Sequence, residues 1–417
     1  MGRYHVTGGR RLAGELAIQG GKNAVLPILA ASVLGLGESV LTNCPNISDT
    51  RYTLKILEEM GCKVTREGGN IAVDSRPADT FQISDELARK MRSSVIFVGS
   101  LLSRFGAAKV SYPGGCVLGL RPIDLHLKGL RMLGARIDEE QGFLNCTAQR
   151  LVGADIALDF PSVGATQNIM LAAVMAEGTT RLINAAKEPE IVELANFLNA
   201  MGARVRGAGE TTIEIDGVTR LIYAEHRVMP DRIVAGTYLA AAAMTRGELT
   251  LTNVSGASIR PVVAKLVDAG CRVSEDGKAL KLRAPNKLCA IHLKTQPHPG
   301  FPTDLQPQFT AMLSVADGLS VIEETVFDAR NNHIPELNSM GADILQVNGN
   351  MSLVQGVEKL CGSPVASHDL RGGAALILAG LAAEGETIVE PADHVQRGYE
   401  NIEADLSAIG ADIAYAE

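Results

Sequence analysis

The sequence is poor in several things, and each shortage excludes something. There is no tryptophan among 417 residues, and aromatics make up only 4% of the chain. The bulky, stacked cores that aromatics build are therefore ruled out, and small apolar residues must do the packing. No apolar run reaches about 18 residues without a charge or glycine, so no membrane-spanning helix is expected. The opening residues Gly2-Arg3-Tyr4-His5 lack the apolar stretch of a secretory signal. Positive charge is also short: the formal net charge is −8, which argues against a general nucleic-acid binder. The seven cysteines are odd in number and include no Cys-x-x-Cys pair. Disulfide scaffolds and zinc ribbons are thus not expected, and the natural compartment is a reducing cytoplasm.

Hydrophobic residues make up 46% of the chain, with 43 glycines, a composition suited to tightly packed α/β layers. The chain is also periodic. A phrase of the form Leu-x-x-Met-Gly-Ala-x-Val recurs with its glycine at Gly61, Gly134, Gly202, Gly270, Gly341 and Gly410. Each glycine reads as the residue after a helix end, with a β-branched strand to follow. A second series, Gly37, Gly106, Gly178, Gly247, Gly318 and Gly385, runs in step with the first. Two markers at a common spacing of about 70 residues define six α/β repeats, longer than most solenoid units.

One helix in each repeat is apolar all round, as in Ala24–Ser32, Gln167–Met175, Gly236–Met244 and Gly373–Leu381. Such helices belong in an interior. The expected architecture is two domains of three repeats, with helices inside and sheets outside. The first domain spans 22–229 and the second 1–21 plus 230–417. The Met229-Pro230-Asp231-Arg232 stretch serves as a crossing point. The N-terminal strand, from Tyr4 to Ile18, is expected to pair with the C-terminal repeat.

The stretch Ser111-Tyr112-Pro113-Gly114-Gly115-Cys116 cannot be a helix or regular strand. It is expected to be a mobile loop presenting a reactive thiol, with Arg121, Asp124 and His126 close behind. Charges also gather where the buried helices begin: Lys22-Asn23, Arg92, Asp304 and Asp369-Leu370-Arg371. Helix starts favour anions. With Lys22, Arg92, Arg121, Arg371 and Arg397 they would form a site for phosphate or carboxylate. Each residue also has a plainer reading. Asp304 and Asp369 suit helix caps, Lys22 suits a solvated face, Arg397 could pair with Glu400 or Glu403, and His126 could be a structural hydrogen-bonding residue.

Taken in order, Gly21-Lys22-Asn23-Ala24, Arg92-Ser93-Ser94, Pro113-Gly114-Gly115-Cys116, Arg121-Pro122-Ile123-Asp124-Leu125-His126, Pro161-Ser162-Val163-Gly164, Phe301-Pro302-Thr303-Asp304, Asp369-Leu370-Arg371 and Arg397-Gly398-Tyr399-Glu400 resemble the UDP-N-acetylglucosamine branch of the enolpyruvyl transferases. The likeness runs the whole length of the chain. It implies an inside-out α/β barrel of two domains with three βαβαββ repeats each, and an active site in the cleft between them. It implies transfer of enolpyruvate from phosphoenolpyruvate to the 3′-hydroxyl of UDP-N-acetylglucosamine, with neither metal nor other cofactor. By resemblance, Cys116 is the general acid and the target of fosfomycin-type electrophiles. Lys22, Arg121 and Arg397 hold phosphate, Arg371 holds carboxylate with Arg397 nearby, and Asn23 contacts the intermediate. Asp304 is the base, while Arg92, Arg121, Pro122, Ile123, Asp124, Leu125, Ser162, Val163, Gly164 and Val326 line the nucleotide-sugar site.

Two departures from the family pattern, Val234 and the polar segment Phe327–His333, fall outside the catalytic set implied by the resemblance. The sister enzyme acting on shikimate 3-phosphate is disfavoured, because its Gly-Asn-Ala-Gly-Thr signature is missing and this thiol loop is not its own. A catalytically silent paralogue that binds the nucleotide sugar is the alternative of a different class.

Overall fold

The computed structural model describes residues 2–112, 123–277, 279–328 and 330–417. Cys116, Arg121 and Pro122 therefore lie outside the described residues. Contacts divide the chain into two compact units, one from Gly20 to Met229 and the other made of residues up to Gln19 together with Pro230–Glu417. The two crossing segments run side by side. Gly21 N–H donates to Met229 O at 2.8 Å and Asp231 N–H to Gln19 O at 2.9 Å.

Each unit is built from three repeats, and the repeat is plainest at residues 155–216. Strand Asp155–Ala157 leads into helix Val163–Ala173, then strand Thr179–Ile183, helix Pro189–Ala200 and the hairpin Arg204–Arg206/Thr212–Asp216. The first two strands pair in parallel and the hairpin adds antiparallel strands. This is the βαβαββ order. It recurs in both units, which among the described residues together hold five four-stranded sheets, one three-stranded sheet and two two-stranded ones. The three-stranded sheet is extended by an isolated parallel bridge from Gln82 to Lys109.

Both ends of the chain are used to complete the second unit. Strand Arg3–Thr7 slots between Glu386–Glu390 and Asp412–Ala416, both antiparallel, with Val6 opposite Thr387 on one side and Ile413 on the other. Strand Ala13–Ala17 goes elsewhere and pairs in parallel with Glu248–Thr252 of the fourth repeat. The N-terminal segment is thus two strands serving two repeats, and only the first joins the C-terminal one.

The helices expected inside are inside. Helix Lys22–Ser32 is buried from Ala24 onward, helix Val163–Ala173 from Ala165 onward and helix Leu370–Ala382 through Leu381. Small residues let them approach closely. A Cβ on Gly99 would sit 2.2 Å from the backbone oxygen of Asn168, and one on Gly236 2.3 Å from Leu305 Cδ1. Several polar side chains in this interior are paired. Asn168 Oδ1 accepts from Gly99 N–H at 2.7 Å, and Ser100 donates to Ala30 O at 2.8 Å. In the other unit Gln308 donates to the hydroxyls of Thr237 (3.2 Å) and Tyr399 (3.3 Å).

The glycine marks of the repeat have a physical basis. All six glycines from Gly61 to Gly410 have φ between 88° and 100°, the left-handed region that a side chain resists. In the second series the fourth repeat differs: Arg246 takes the left-handed position (φ 58°). Gly247 is needed for space, since a Cβ there would meet Leu12 O at 2.2 Å.

Buried thiols account for four of the cysteines. Burial pushes Cys44, Cys146 and Cys271 up to about 12 and Cys62 to about 11, so they pack as small hydrophobes. Among the described residues no helix is long and apolar enough to cross a membrane.

The close approach at Gly99 gives a test of the packing. Gly99→Ala should force apart the helices Phe97–Phe105 and Val163–Ala173 and cost about 1–3 kcal/mol of stability. Urea denaturation would show this as a lowered midpoint, and an unchanged midpoint would contradict it.

Candidate functional site

In the unit Gly20–Met229 the predicted residues sit at the starts of the inner helices. Lys22 opens its helix, and its ammonium lies 2.7 Å from Asp49 Oδ2, with the lysine side chain 12% exposed and the aspartate 2%. The solvated-surface reading of Lys22 does not hold. A carboxylate from the neighbouring helix Ser48–Glu59 fixes the ammonium in place. Asn23 follows, half-buried. Arg92 begins the tight turn Arg92–Ile96 that precedes helix Phe97–Phe105.

Ser162 caps helix Val163–Ala173 by accepting from Ala165 N–H at 3.4 Å, and Val163 and Gly164 form its first turn. Beside this turn lies His126, buried on helix Asp124–Met132. A Cβ on Gly164 would fall 3.0 Å from the imidazole Cε1, so the glycine is what lets the ring approach. Asn168 Nδ2 donates to His126 Nδ1 at 3.0 Å and to Val95 O at 3.0 Å. Because Asn168 Oδ1 already accepts from Gly99, the amide is oriented and the proton of neutral His126 belongs on Nε2. Burial, and secondarily the charge of Arg92, push His126 down to about 4. Ile123 is buried, Asp124 exposed and Leu125 half-buried at the start of the same helix.

The other unit gathers the second cluster. Asp304 lies in the turn Thr303–Leu305, and it caps no helix. Its two oxygens are taken by two guanidinium groups, Arg330 Nη2 to Oδ1 at 2.9 Å and Arg371 Nη2 to Oδ2 at 3.0 Å. Both arginine side chains are almost completely buried, at 3% and 4% exposure, and Asp304 is a quarter exposed. Burial alone would raise the acid, but the charges of Arg371 and Arg330 and their hydrogen bonds outweigh it. The carboxyl is held well below the usual carboxylate range. Arg371 Nη1 and Arg330 Nε are buried donors with no partner among the described residues. The trio keeps one positive charge and spare N–H groups, which suits a second anion.

The capping reading holds for Asp369, which accepts from Arg371 N–H at 2.9 Å and Gly372 N–H at 3.0 Å. Arg371 is thereby set in the first turn of its helix. Asp231 caps its helix in the same way, accepting from Ile233 N–H and Val234 N–H. Arg397 ends the turn Ala392–Arg397, which packs on helix Leu370–Ala382. Val326 follows the buried Glu324 in a turn whose backbone N–H groups bond that carboxylate.

One residue of this cluster was not expected. Arg330 belongs to the polar segment Phe327–His333, which the sequence places outside the catalytic set. The structure puts its guanidinium on Asp304, stacked over Phe327 with 4.8 Å to the ring centre. The resemblance assigns no residue of that segment to Asp304. An arginine 26 residues from its partner leaves no local signature in the sequence.

His126 makes stability depend on pH. Its folded value of about 4 lies below the ordinary 6.5. Between these values the unfolded chain binds more protons, so stability is lost as the pH falls through that window. Denaturation at pH 7 and pH 5 should show a larger loss for the native chain than for His126→Gln. Equal losses would contradict the burial of a neutral imidazole.

Comparison with known proteins gives the family and the fold. A family model described as EPSP synthase (3-phosphoshikimate 1-carboxyvinyltransferase) matches residues 6–406. The chain is 50% identical over 414 residues to UDP-N-acetylglucosamine 1-carboxyvinyltransferase 2 of Caldanaerobacter subterraneus subsp. tengcongensis, covering 99% of each. It is 47% identical over 413 residues to UDP-N-acetylglucosamine 1-carboxyvinyltransferase of Geotalea uraniireducens, again covering 99% of each. Among solved structures, the enolpyruvyl transferase NikO from Streptomyces tendae matches with a TM-score of 0.90 at 25% identity, over 100% of this chain and 99% of that one. EPSP synthase from Acinetobacter baumannii matches over 100% of both chains at 0.76 and 20%, a likeness of fold. The fold is the two-domain inside-out α/β fold of these enzymes, and the chain belongs to the UDP-N-acetylglucosamine 1-carboxyvinyltransferase family of enolpyruvyl transferases.

Proposed function

We propose that the chain transfers the enolpyruvyl group of phosphoenolpyruvate to the 3′-hydroxyl of UDP-N-acetylglucosamine and releases phosphate, the first committed step of peptidoglycan synthesis. The observation that carries this to particular residues is the Asp304 carboxylate held by two buried guanidinium groups with donors to spare.

The reaction divides into an addition and an elimination. The thiol of Cys116 gives a proton to C3 of the enol, and positive character develops at C2. The 3′-oxygen of the sugar bonds to C2 while Asp304 takes the hydroxyl proton. This gives a tetrahedral adduct that still carries phosphate. Loss of phosphate from C2 and of a proton from C3 then restores the double bond, now on the sugar. Lys22, Arg121 and Arg397 are the phosphate-holding groups in this reading. Asp49 holds the Lys22 ammonium in place.

The carboxylate of phosphoenolpyruvate would take the spare donors of Arg371 and Arg330. Those same guanidiniums depress Asp304. An arriving carboxylate draws on their charge and so makes Asp304 a better proton acceptor when the hydroxyl needs one. The helix start Ser162-Val163-Gly164 offers N–H groups and a positive helix end to the diphosphate, with Arg92, Asn23, Arg121, Pro122, Ile123, Asp124, Leu125 and Val326 completing the substrate contacts. Arginines and helix ends supply the charge neutralisation that such a phosphate leaving group needs.

Phosphate release from phosphoenolpyruvate should require UDP-N-acetylglucosamine and should collapse by about 10²-fold or more in Cys116→Ala. Release that survives the substitution would remove Cys116 from its role. A folded native chain that binds the nucleotide sugar yet releases nothing would point to a silent paralogue. Fosfomycin should add one molecule's mass to the native chain and none to Cys116→Ala, as read by intact-protein mass spectrometry.

A further inference from the structure

The cluster around Asp304 is held from beneath by a side chain to which the reaction gives no part. Glu324 is 1% exposed and sits at the end of strand Leu319–Glu323. A carboxylate only accepts hydrogen bonds and has about four lone-pair sites. Four donors meet this one. Oε1 accepts from Thr295 Oγ1 at 2.8 Å, Val326 N–H at 2.9 Å and Phe327 N–H at 3.1 Å, and Oε2 accepts from Thr303 Oγ1 at 2.9 Å. Thr303 spends its one proton on Glu324, so its oxygen is free to accept from Arg330 Nη1 at 2.7 Å. The other nitrogen of that guanidinium holds Asp304.

We propose that Glu324 is a positioning residue whose two oxygens serve two substrate-contacting segments. Through Oε2 and the Thr303 hydroxyl it aims Arg330 at Asp304. Through Oε1 it shapes the turn that presents Val326 to the nucleotide sugar. The inference rests on the reading of Asp304 as base and Val326 as sugar contact.

The turn has a second brace that shows how firmly it is specified. Thr325 N–H donates to Thr295 Oγ1 at 2.9 Å, and Thr325 Oγ1 donates to Thr295 O at 2.5 Å. Glu324 N–H is tied to Asn350 O at 2.8 Å. A glutamine at 324 keeps the volume but has one acceptor oxygen. Turned one way, its amide faces three donors. Turned the other way, it keeps those three donors and gives Thr303 a donor in place of an acceptor. Glutamine therefore spares one arm in either orientation, whereas leucine at 324 has no acceptor and breaks both.

The two arms predict different kinetic signatures. Thr303→Val breaks the Oε2 arm alone, so kcat should fall about tenfold, what a lost buried hydrogen bond amounts to, with KM for UDP-N-acetylglucosamine unchanged. Thr303→Ser keeps the hydroxyl and should restore kcat. Glu324→Leu should lower kcat and also raise both KM and the calorimetric Kd for UDP-N-acetylglucosamine by about tenfold. The double variant should lose no more kcat than Glu324→Leu alone, because the two substitutions cut one chain of hydrogen bonds.

Melting temperatures and titrated active fractions accompany each variant, since a merely structural role would scale kcat with the folded fraction and leave KM alone. Glu324→Leu with native KM and Kd overturns the proposal, as does a kcat loss that vanishes after correction for the folded fraction. If the native chain releases no phosphate, it is the reading of the site that fails. In that case the Oε1 arm is still judged by whether Glu324→Leu weakens nucleotide-sugar binding while Thr303→Val does not.

Discussion

A carboxylate can stay charged in a protein interior only if its partners outweigh the water it has lost. At Asp304 they do so twice over, with a buried guanidinium on each oxygen. Much of the second unit's edge is arranged to keep this trio in place. Asp369 fixes the start of the helix that carries Arg371, and Thr303 and Glu324 orient Arg330. Tyr399 lies under Arg371, 6.0 Å from the guanidinium, and is itself locked by Thr237 and Gln308. Removing one partner from such a trio leaves a buried charge unmatched. The chemistry therefore depends on the same groups that keep the interior electrically tolerable.

The repeat explains why reactive groups can gather there at all. Each repeat buries one all-apolar helix, and a buried helix can display polar groups only at its ends. Lys22, Arg92, Ser162, Asp231, Asp304 and Asp369 all stand at or just before the start of an inner helix. The opposite ends close on left-handed residues and enter strands, which serve the fold. The fold thereby separates stability from function along each helix axis. Along the inner helices, the starts carry several of the residues proposed to contact substrate and the other ends carry the turns.

Where the physics is local, the sequence made it legible. Gly61 through Gly410 announce helix ends because only a glycine relaxes at positive φ, and Asp231 and Asp369 announce caps because their carboxylates reach N–H groups two and three residues on. Lys22 was legible as a residue at a helix start but not as the partner of Asp49, 27 positions away. Arg330 and Glu324 were illegible for the same reason. Their meaning comes from Asp304 and Thr303 in another segment, and a polar loop around them looks like any other. Strand Ala13–Ala17 could not be assigned to the fourth repeat, since a short strand carries no mark of its partner. Cys116 is known through its motif and stands outside the described residues, so its part in the account rests on the sequence and on the chemistry the reaction needs.

The central claim is that Asp304 is a proton acceptor, beyond being the anchor of two arginines. Asparagine at this position keeps the size and an acceptor oxygen but cannot take a proton. Steady-state phosphate release by Asp304→Asn, with calorimetric binding of UDP-N-acetylglucosamine in parallel, separates the two roles. The account predicts a kcat lowered by about 10²- to 10⁴-fold in a chain that still binds the nucleotide sugar. A variant that binds it and turns over at the native rate would show that the proton leaves the hydroxyl by another route.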